Sequence, residues 1–273
     1  MENKNIEVYN CKIAYTEKNS AGLKTLFFIH GNSCSSRIWR KQLDHPLLSD
    51  YRLICLDLPS HGRSGKLKND EDNNLLFFGD LLSKSINALI DGKEYILVGF
   101  SLGSNIVAEM ISHSLNPAGI VIISPTIIGE NYTLNDTLKP GADPTLLFTD
   151  EPSQKDIIAF IHNVLFSSDE SDLLTCVEDF NAVKKPFRSS ILKTAIEGKL
   201  SDEVMNLTRY NIPMLVLFGK EDKIVNPDYL DRAQLPLWNR GVFKLDDAGH
   251  YLMLDQPEGF AGLLADYCGQ MFK

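Results

Sequence analysis

The sequence contains few cysteines, and nothing in their spacing suggests that they are paired. The five cysteines are scattered along 273 residues, with no C-x-x-C pair among them. This excludes a disulfide-stabilised scaffold and predicts buried thiols in a reducing compartment. No apolar run is long enough to span a bilayer, and the residues that follow Met1 lack the apolar segment of a signal peptide. We therefore expect a cytoplasmic protein.

Positive charge is also in deficit, because 27 lysines and arginines face 36 aspartates and glutamates, and the formal net charge is -9. A chain this acidic is poorly suited to bind nucleic acid or an anionic membrane. The six histidines are dispersed, with no H-E-x-x-H or H-x-H pattern, and neither G-x-G-x-x-G nor a P-loop occurs. We expect no metal and no nucleotide cofactor. The remaining partner is a small molecule, bound by a monomer or homodimer.

What the sequence does contain is a regular alternation of apolar strands and helical patterns. The length of 273 residues suits one α/β domain, with or without an insertion. Residues 6–15 alternate like an edge strand or hairpin, and a helix is predicted over about 75–90. Such alternation implies βαβ crossovers and a mostly parallel sheet. Buried strands are predicted at 26–29, 51–56, 95–98, 119–124, 213–218 and 242–245.

The alternation stops after Ser124. Residues 125–210 have no strand-like run, and helical patterns near 153–166, 169–183, 186–197 and 201–208 are separated by prolines. About eighty residues is too long for a crossover, so we predict an inserted helical cap over 125–210. Residues 1–124 and 211–273 then form the core. Further helices are predicted after Pro227 and from about Pro257.

The stretch that carries chemistry is Gly99-Phe-Ser101-Leu-Gly103, a G-x-S-x-G sequence between an apolar run and a helical pattern. A serine on such a strand-to-helix turn presents its hydroxyl in the open, and small residues on either side let the two elements close around it. We predict that Ser101 is a nucleophile. The backbone N–H of Leu102 then opens a helix and is placed to stabilise an oxyanion.

A serine nucleophile needs a base, and that base needs an acid to orient it. His250 follows the last predicted strand in Ala-Gly-His, and Asp222 follows the strand at 213–218. The order Ser101, Asp222, His250 is the order expected after a serine on this kind of turn. Adjacent Glu221 is interpreted as a surface charge. Asp246 and Asp247 are alternatives for the acid, although their position just before His250 suits them better to shaping its loop.

The second oxyanion donor should come from the loop after the strand at 26–29. Asn32 lies there, and its backbone N–H is the main candidate, with the side-chain amide as an additional donor. The alternative is that Asn32 only caps a tight turn. His30 and His61 fit structural roles better, through hydrogen bonds to neighbouring backbone.

Together these segments resemble the α/β-hydrolase superfamily. The resemblance rests on five stretches: 30–32 (His-Gly-Asn), 57–64, 99–103, 219–222 and 248–250. It implies an α/β-hydrolase fold, with a mostly parallel sheet, flanking helices and the predicted cap. Two positions depart from the usual pattern, because Ser60 and Ser104 stand where the superfamily usually has glycine. Serine at position 101 also separates the chain from haloalkane dehalogenases and epoxide hydrolases, which have aspartate there.

Three functional hypotheses follow. The first is a serine hydrolase that cleaves an ester or lactone through an acyl-enzyme. The second is a metal-independent N-acyl-homoserine lactone lactonase, which the chain resembles in His-Gly-Asn-Ser, in cap length and in Leu237-Trp238. The third is a ligand-sensing receptor that keeps the hydrolase scaffold and turns over little. Substrate identity lies in cap side chains whose facing the sequence does not give.

Overall fold

A computed structural model describes residues 1–113 and 115–273. One eight-stranded sheet runs through the centre of this part of the chain, in the order β1-β2-β4-β3-β5-β6-β7-β8. The strands are β1 (Glu2–Val8), β2 (Cys11–Lys18), β3 (Lys24–Ile29), β4 (Arg52–Leu56), β5 (Glu94–Phe100), β6 (Gly119–Ile123), β7 (Met214–Gly219) and β8 (Phe243–Leu245).

The sheet is antiparallel at one edge and parallel elsewhere. β1 pairs with β2 as a hairpin, and β2 runs antiparallel to β4. From β4 onward each neighbouring pair is parallel. The central strands are fully buried, as the continuous apolar run Leu26–Ile29 predicts for strands covered on both faces. The predicted sheet is confirmed, and its N-terminal segment is a complete hairpin.

Helices cover both faces of the sheet and form the segment between β6 and β7. The four long helices predicted for that segment are present as α5 to α8, and the predicted C-terminal helix is α10. The helices are α1 (Arg40–Leu43), α2 (Leu75–Leu89), α3 (Leu102–Met110), α4 (Leu134–Thr137), α5 (Gln154–Val164), α6 (Glu170–Ala182), α7 (Phe187–Ile196), α8 (Glu203–Tyr210), α9 (Leu252–Asp255) and α10 (Pro257–Met271).

The helix predicted after Pro227 is wrong. Residues 227–232 form turns, and the chain then runs beside β7, where Met214 N–H donates to the carbonyl of Pro236 at 2.8 Å. Two anchors hold the turns: Leu230 is fully buried, and the Tyr229 hydroxyl donates to the carbonyl of Pro125 at 3.1 Å. These contacts with distant elements override the weak local preference for a helix.

Parallel pairing places the predicted site residues at one edge of the sheet. Asn32 follows β3, Ser101 follows β5, Asp222 follows β7 and His250 follows β8. Because parallel strands end at the same edge, these four loops meet above the carboxyl ends of the strands. No helix in the described ranges is long and apolar enough to cross a membrane.

Gly219, at the end of β7, allows the His250 loop to pack directly against the strand. A Cβ added there would lie 2.2 Å from the carbonyl oxygens of Ala248 and Gly249. Gly219→Ala is therefore expected to lower the free energy of unfolding by about 3 kcal/mol, measured by urea denaturation. The control is Gly262→Ala on α10, where an added Cβ meets nothing within 4 Å. This substitution should raise the free energy of unfolding by up to about 1 kcal/mol. Equal stabilities for the two variants would contradict this packing.

Candidate active site

Ser101 lies on a sharp turn between β5 and α3. Its backbone angles, φ 49° and ψ −120°, are unusual for a residue with a side chain. The turn is held because Ser101 N–H donates to the carbonyl of Ile123 at 2.9 Å. Gly103 permits it, since a Cβ there would lie 2.3 Å from the carbonyl oxygen of Ile29. The hydroxyl is thereby presented away from the sheet.

His250 connects Ser101 to Asp222 through both ring nitrogens. Nε2 lies 3.1 Å from the Ser101 hydroxyl, and Nδ1 lies 2.7 Å from Oδ2 of Asp222. Asp222 is fully buried, and its second oxygen accepts the N–H groups of Ile224 and Val225 at 2.8 and 2.9 Å. This carboxylate is positioned to accept a hydrogen bond from Nδ1–H, which leaves Nε2 unprotonated and able to accept a proton from the serine hydroxyl.

The neighbouring carboxylates take other positions. Glu221 is not simply a surface charge, because its carboxylate accepts the N–H of Ala248 at 3.0 Å and so supports the His250 loop. Asp246 is mostly exposed and pairs with Lys220 at 2.5 Å. Of these acids, Asp222 is the one that the structure brings to His250.

Two backbone N–H groups near Ser101, those of Leu102 and Asn32, lack an acceptor among the described residues. Leu102 is the first residue of α3, so its N–H has no intrahelical acceptor. In the part of the chain that the structure describes, the N–H of Asn32 also has no protein acceptor. One hydrogen of the Asn32 side-chain amide is already used, because Nδ2 donates to the carbonyl of Leu147 at 2.9 Å. Among the described residues, these two backbone N–H groups are therefore free to make a further hydrogen bond.

The space between these groups is small and closed. A cavity of about 10 Å³ touches Ser101 and His250, which is room for about one water molecule. Leu147 and Phe160, from the segment between β6 and β7, form part of its wall. A cavity of about 750 Å³ between α5 and α6 reaches none of the residues described above. No cluster of three or more metal-binding side chains occurs within residues 1–113 and 115–273.

Residues 26–263 match the model of the alpha/beta hydrolase family, which covers most of the chain. The chain belongs to the alpha/beta hydrolase family. It is a hydrolase of this family, and it is similar to the hydrolase YugF of Bacillus subtilis, which is 24% identical over 93% of each chain. A haloalkane dehalogenase of Mesorhizobium japonicum is also 24% identical, over 96% of this chain and 89% of its own.

Solved structures with the same fold include lactonases and esterases. The N-acyl homoserine lactonase AidH, complexed with N-butanoyl homoserine, superposes with a TM-score of 0.90 at 22% identity. That similarity covers 100% of this chain and 98% of the lactonase. The esterase RhEst1 from Rhodococcus has a TM-score of 0.79 at 22% identity, over 99% and 100% of the two chains. At such identities the similarity establishes the fold.

The two departures from the usual pattern of this hydrolase family have local explanations. Ser60 has φ +67°, the left-handed region that glycine occupies without strain. Ser104 does not need that region, and its hydroxyl donates to the carbonyl of Gly99 at 2.9 Å.

Sequence patterns gave no signal for Asp255, which ties the His250 loop to the segment between β6 and β7. Its carboxylate accepts the N–H groups of Gly249 at 2.9 Å and of Phe166 and Ser167 at 3.1 and 2.8 Å. Burial is the main cause that raises the pKa of this carboxyl, and these hydrogen bonds oppose it. His250 N–H also donates to the carbonyl of Val164 at 2.9 Å.

Arg188, also missed, supports the loop that carries Asn32. Its Nε donates to the Ser33 hydroxyl at 2.9 Å, and that hydroxyl donates to Oδ1 of Asn32 at 2.9 Å. The guanidinium is buried, lies 4.1 Å from the ring centre of Phe180, and has no ion-paired carboxylate among the described residues. Burial lowers its pKa to about 10, so it stays charged near neutral pH.

His30 and His61 lie beneath the same loop as neutral rings. Nε2 of His61 accepts the N–H of Ser33 at 3.2 Å, and Nε2 of His30 accepts the N–H of Leu58 at 3.0 Å. A protonated ring could not accept these bonds. Burial lowers the pKa of both histidines, and for His61 the neighbouring His30 lowers it further. Their structural role agrees with the sequence interpretation.

These neutral rings predict acid sensitivity. The unfolded chain takes up protons on both rings as the pH falls through about 6.5, whereas the folded chain resists them. The free energy of unfolding should therefore decrease as the pH is lowered below 6.5, by up to about 1.4 kcal/mol per pH unit for each histidine. Above pH 6.5 it should not depend on the ionisation of these two rings. Urea unfolding between pH 8 and 5.5 should show a smaller loss for His61→Gln than for the wild type.

The matched control for this measurement is His162→Gln, because His162 is exposed on α5. It should keep the pH dependence of the wild type. If the free energy of unfolding falls by the same amount in the wild type and in His61→Gln between pH 7 and 5.5, His61 is not held neutral in the folded protein.

Proposed function

We propose that the chain is a serine hydrolase that cleaves a carboxylic ester or lactone through an acyl-enzyme. The observation that carries the proposal is the hydrogen-bonded chain from the Ser101 hydroxyl to His250, at 3.1 Å, and on to Asp222, at 2.7 Å. A hydroxyl is a weak nucleophile unless a base takes its proton, and His250 is placed to do so.

In the proposed reaction, Ser101 Oγ attacks the carbonyl carbon as Nε2 of His250 accepts the proton. Asp222 keeps the imidazole in the tautomer with Nδ1 protonated and stabilises the imidazolium. The N–H groups of Asn32 and Leu102 stabilise the tetrahedral oxyanion. His250 then gives its proton to the leaving oxygen. Water next attacks the acyl-enzyme carbonyl as His250 accepts its proton, and His250 returns that proton to Ser101 Oγ as the acid leaves.

The segment 125–210 is assigned to a cap and residues 1–124 and 211–273 to a core. The assignment is supported by the position of the segment, which leaves the sheet after β6 and returns at β7. It supplies Leu147 and Phe160 to the wall of the small cavity beside Ser101. In this proposal the cap excludes bulk water from the reacting carbonyl.

The proposal predicts that one serine is labelled by a fluorophosphonate. Mass spectrometry should locate the label on Ser101, and Ser101→Ala should not be labelled. With p-nitrophenyl acetate, Ser101→Ala and Asp222→Asn should each lower kcat by about 10⁴-fold or more. The control Asp246→Asn removes an exposed carboxylate from the same loop as His250 and should stay within about twofold of the wild type. Activity retained in Ser101→Ala would reject the proposal.

A second candidate is ring opening of an N-acyl-homoserine lactone. It is favoured by the superposition on the AidH lactonase, which extends over nearly the whole of both chains. Adding N-hexanoyl homoserine lactone should release one proton per ring opened, measured in a pH-stat, and Ser101→Ala should release none. If p-nitrophenyl acetate is cleaved through Ser101 but no acid appears from N-butanoyl or N-hexanoyl homoserine lactone, the lactonase candidate is discarded and the esterase proposal stands.

A further inference from the structure

A polar cavity of about 360 Å³ lies where α5, the end of α6 and the start of α7 meet. Among the described residues, none lines both this cavity and the small cavity beside Ser101. The volume is at the lower end of the range of about 300–1,000 Å³ that small-molecule sites occupy. The cavity is therefore large enough for a small molecule. The polar side chains of its wall are Asp150, Glu151, Asn181, Lys185 and Arg188.

Arg188 brings a buried positive charge to this cavity. The residue is only 3% exposed, and two of its guanidinium nitrogens already have acceptors. Nε donates to the Ser33 hydroxyl at 2.9 Å, and Nη2 donates to the carbonyl of Phe180 at 2.5 Å. Nη1 has no acceptor within residues 1–113 and 115–273. Because a buried charge is costly unless its hydrogen bonds are made, Nη1 is the donor that this wall offers to a ligand.

Asp150 brings a negative charge to the same cavity. Its carboxylate accepts the N–H of Ser189 at 3.2 Å and the hydroxyl of the same serine. Asp150 opposes the effect of burial on the pKa of Arg188, so the two charges are close enough to interact. Yet in the part of the chain that the structure describes, neither residue takes part in an ion pair. The cavity thus holds a cation and an anion that are not paired with each other.

The other polar side chains of the wall add one acceptor and no net charge. Lys185 is paired with Glu151, so these two charges compensate each other. The amide nitrogen of Asn181 donates to Oε1 of Gln154 and to the carbonyl of Val177, both at 3.0 Å. Oδ1 of Asn181 has no donor among the described residues. The groups left for a ligand are therefore one guanidinium nitrogen, one carboxylate and one amide oxygen.

We propose that this cavity binds a free α-amino acid as its zwitterion, with the carboxylate at Nη1 of Arg188 and the ammonium group at Asp150 and Asn181. Such charge-assisted hydrogen bonds are stronger than neutral ones. A simple carboxylate would leave Asp150 uncompensated, and a simple amine would leave Arg188 so. An internal residue of a peptide carries neither charge. Ile157 and the ring of Phe180, 4.1 Å from the guanidinium, give an aliphatic side chain an apolar contact.

Isothermal titration calorimetry of the wild type at pH 7 tests this site with L-alanine and L-leucine. At least one of them should bind with a Kd of about 1 mM or below. Each is compared with its amide, which lacks the carboxylate, and with propionate or isocaproate, which lack the ammonium group. These analogues should bind at least about tenfold more weakly. No binding of either amino acid up to about 10 mM, or equal affinity for an analogue, would overturn the proposal.

A pair of matched variants locates the site. Asp150→Asn removes the charge but keeps an acceptor for Ser189, and it should weaken binding of the amino acid about tenfold. Asp143→Asn makes the same change at an exposed carboxylate outside the cavity and should bind as the wild type does. Equal affinities for the two variants would overturn the assignment. If Asp150→Asn does not fold, the analogues on the wild type decide. Ester hydrolysis enters none of these measurements, so the proposed function stands or falls separately.

Discussion

The geometry of the site depends on the main chain at Ser101. A residue with a side chain at φ 49° and ψ −120° costs about 1–3 kcal/mol relative to relaxed backbone. The turn persists because the hydrogen bond to Ile123 fixes one side of it and the contact of Gly103 with β3 fixes the other. This conformation presents the hydroxyl and at the same time begins α3 at Leu102. The proposed nucleophile and one proposed oxyanion donor thus have a single structural origin.

The segment between β6 and β7 is bonded to both halves of the site. On the base side, the carbonyl of Val164 accepts the N–H of His250, and Asp255 links the preceding loop to residues 166–167. On the oxyanion side, the carbonyl of Leu147 accepts the side-chain amide of Asn32. A movement of this segment large enough to enlarge the small cavity would therefore also disturb the groups around Ser101. These few hydrogen bonds thus join the segment to the loops of Asn32 and His250 at the same time.

Much of this could be predicted from the sequence, for identifiable reasons. Buried parallel strands are continuous apolar runs, so β3 to β7 were readable, and the loops after them could be assigned to one edge of the sheet. The order of Ser101, Asp222 and His250 follows from that topology. The turns after Pro227 were not readable, because contacts with distant elements, such as Tyr229 with Pro125, override a weak local preference.

The residues that support the site were not predictable, because their partners are remote in sequence. Arg188 reaches Ser33 across 155 positions, and Asp255 reaches Phe166 across 89. A lone charged residue in a cap helix has no pattern that distinguishes it from a surface charge. The choice between Glu221 and Asp222 was closer, since both carboxylates follow β7.

Backbone geometry separates those two acids. Glu221 and Asp222 are adjacent, yet only the Asp222 carboxylate accepts the N–H groups two and three positions later in the chain, those of Ile224 and Val225. Those bonds fix one carboxylate oxygen and direct the other toward Nδ1 of His250. Glu221, one residue earlier and one methylene longer, instead accepts the N–H of Ala248. The two neighbours thus support the same histidine, one through its ring and the other through its loop.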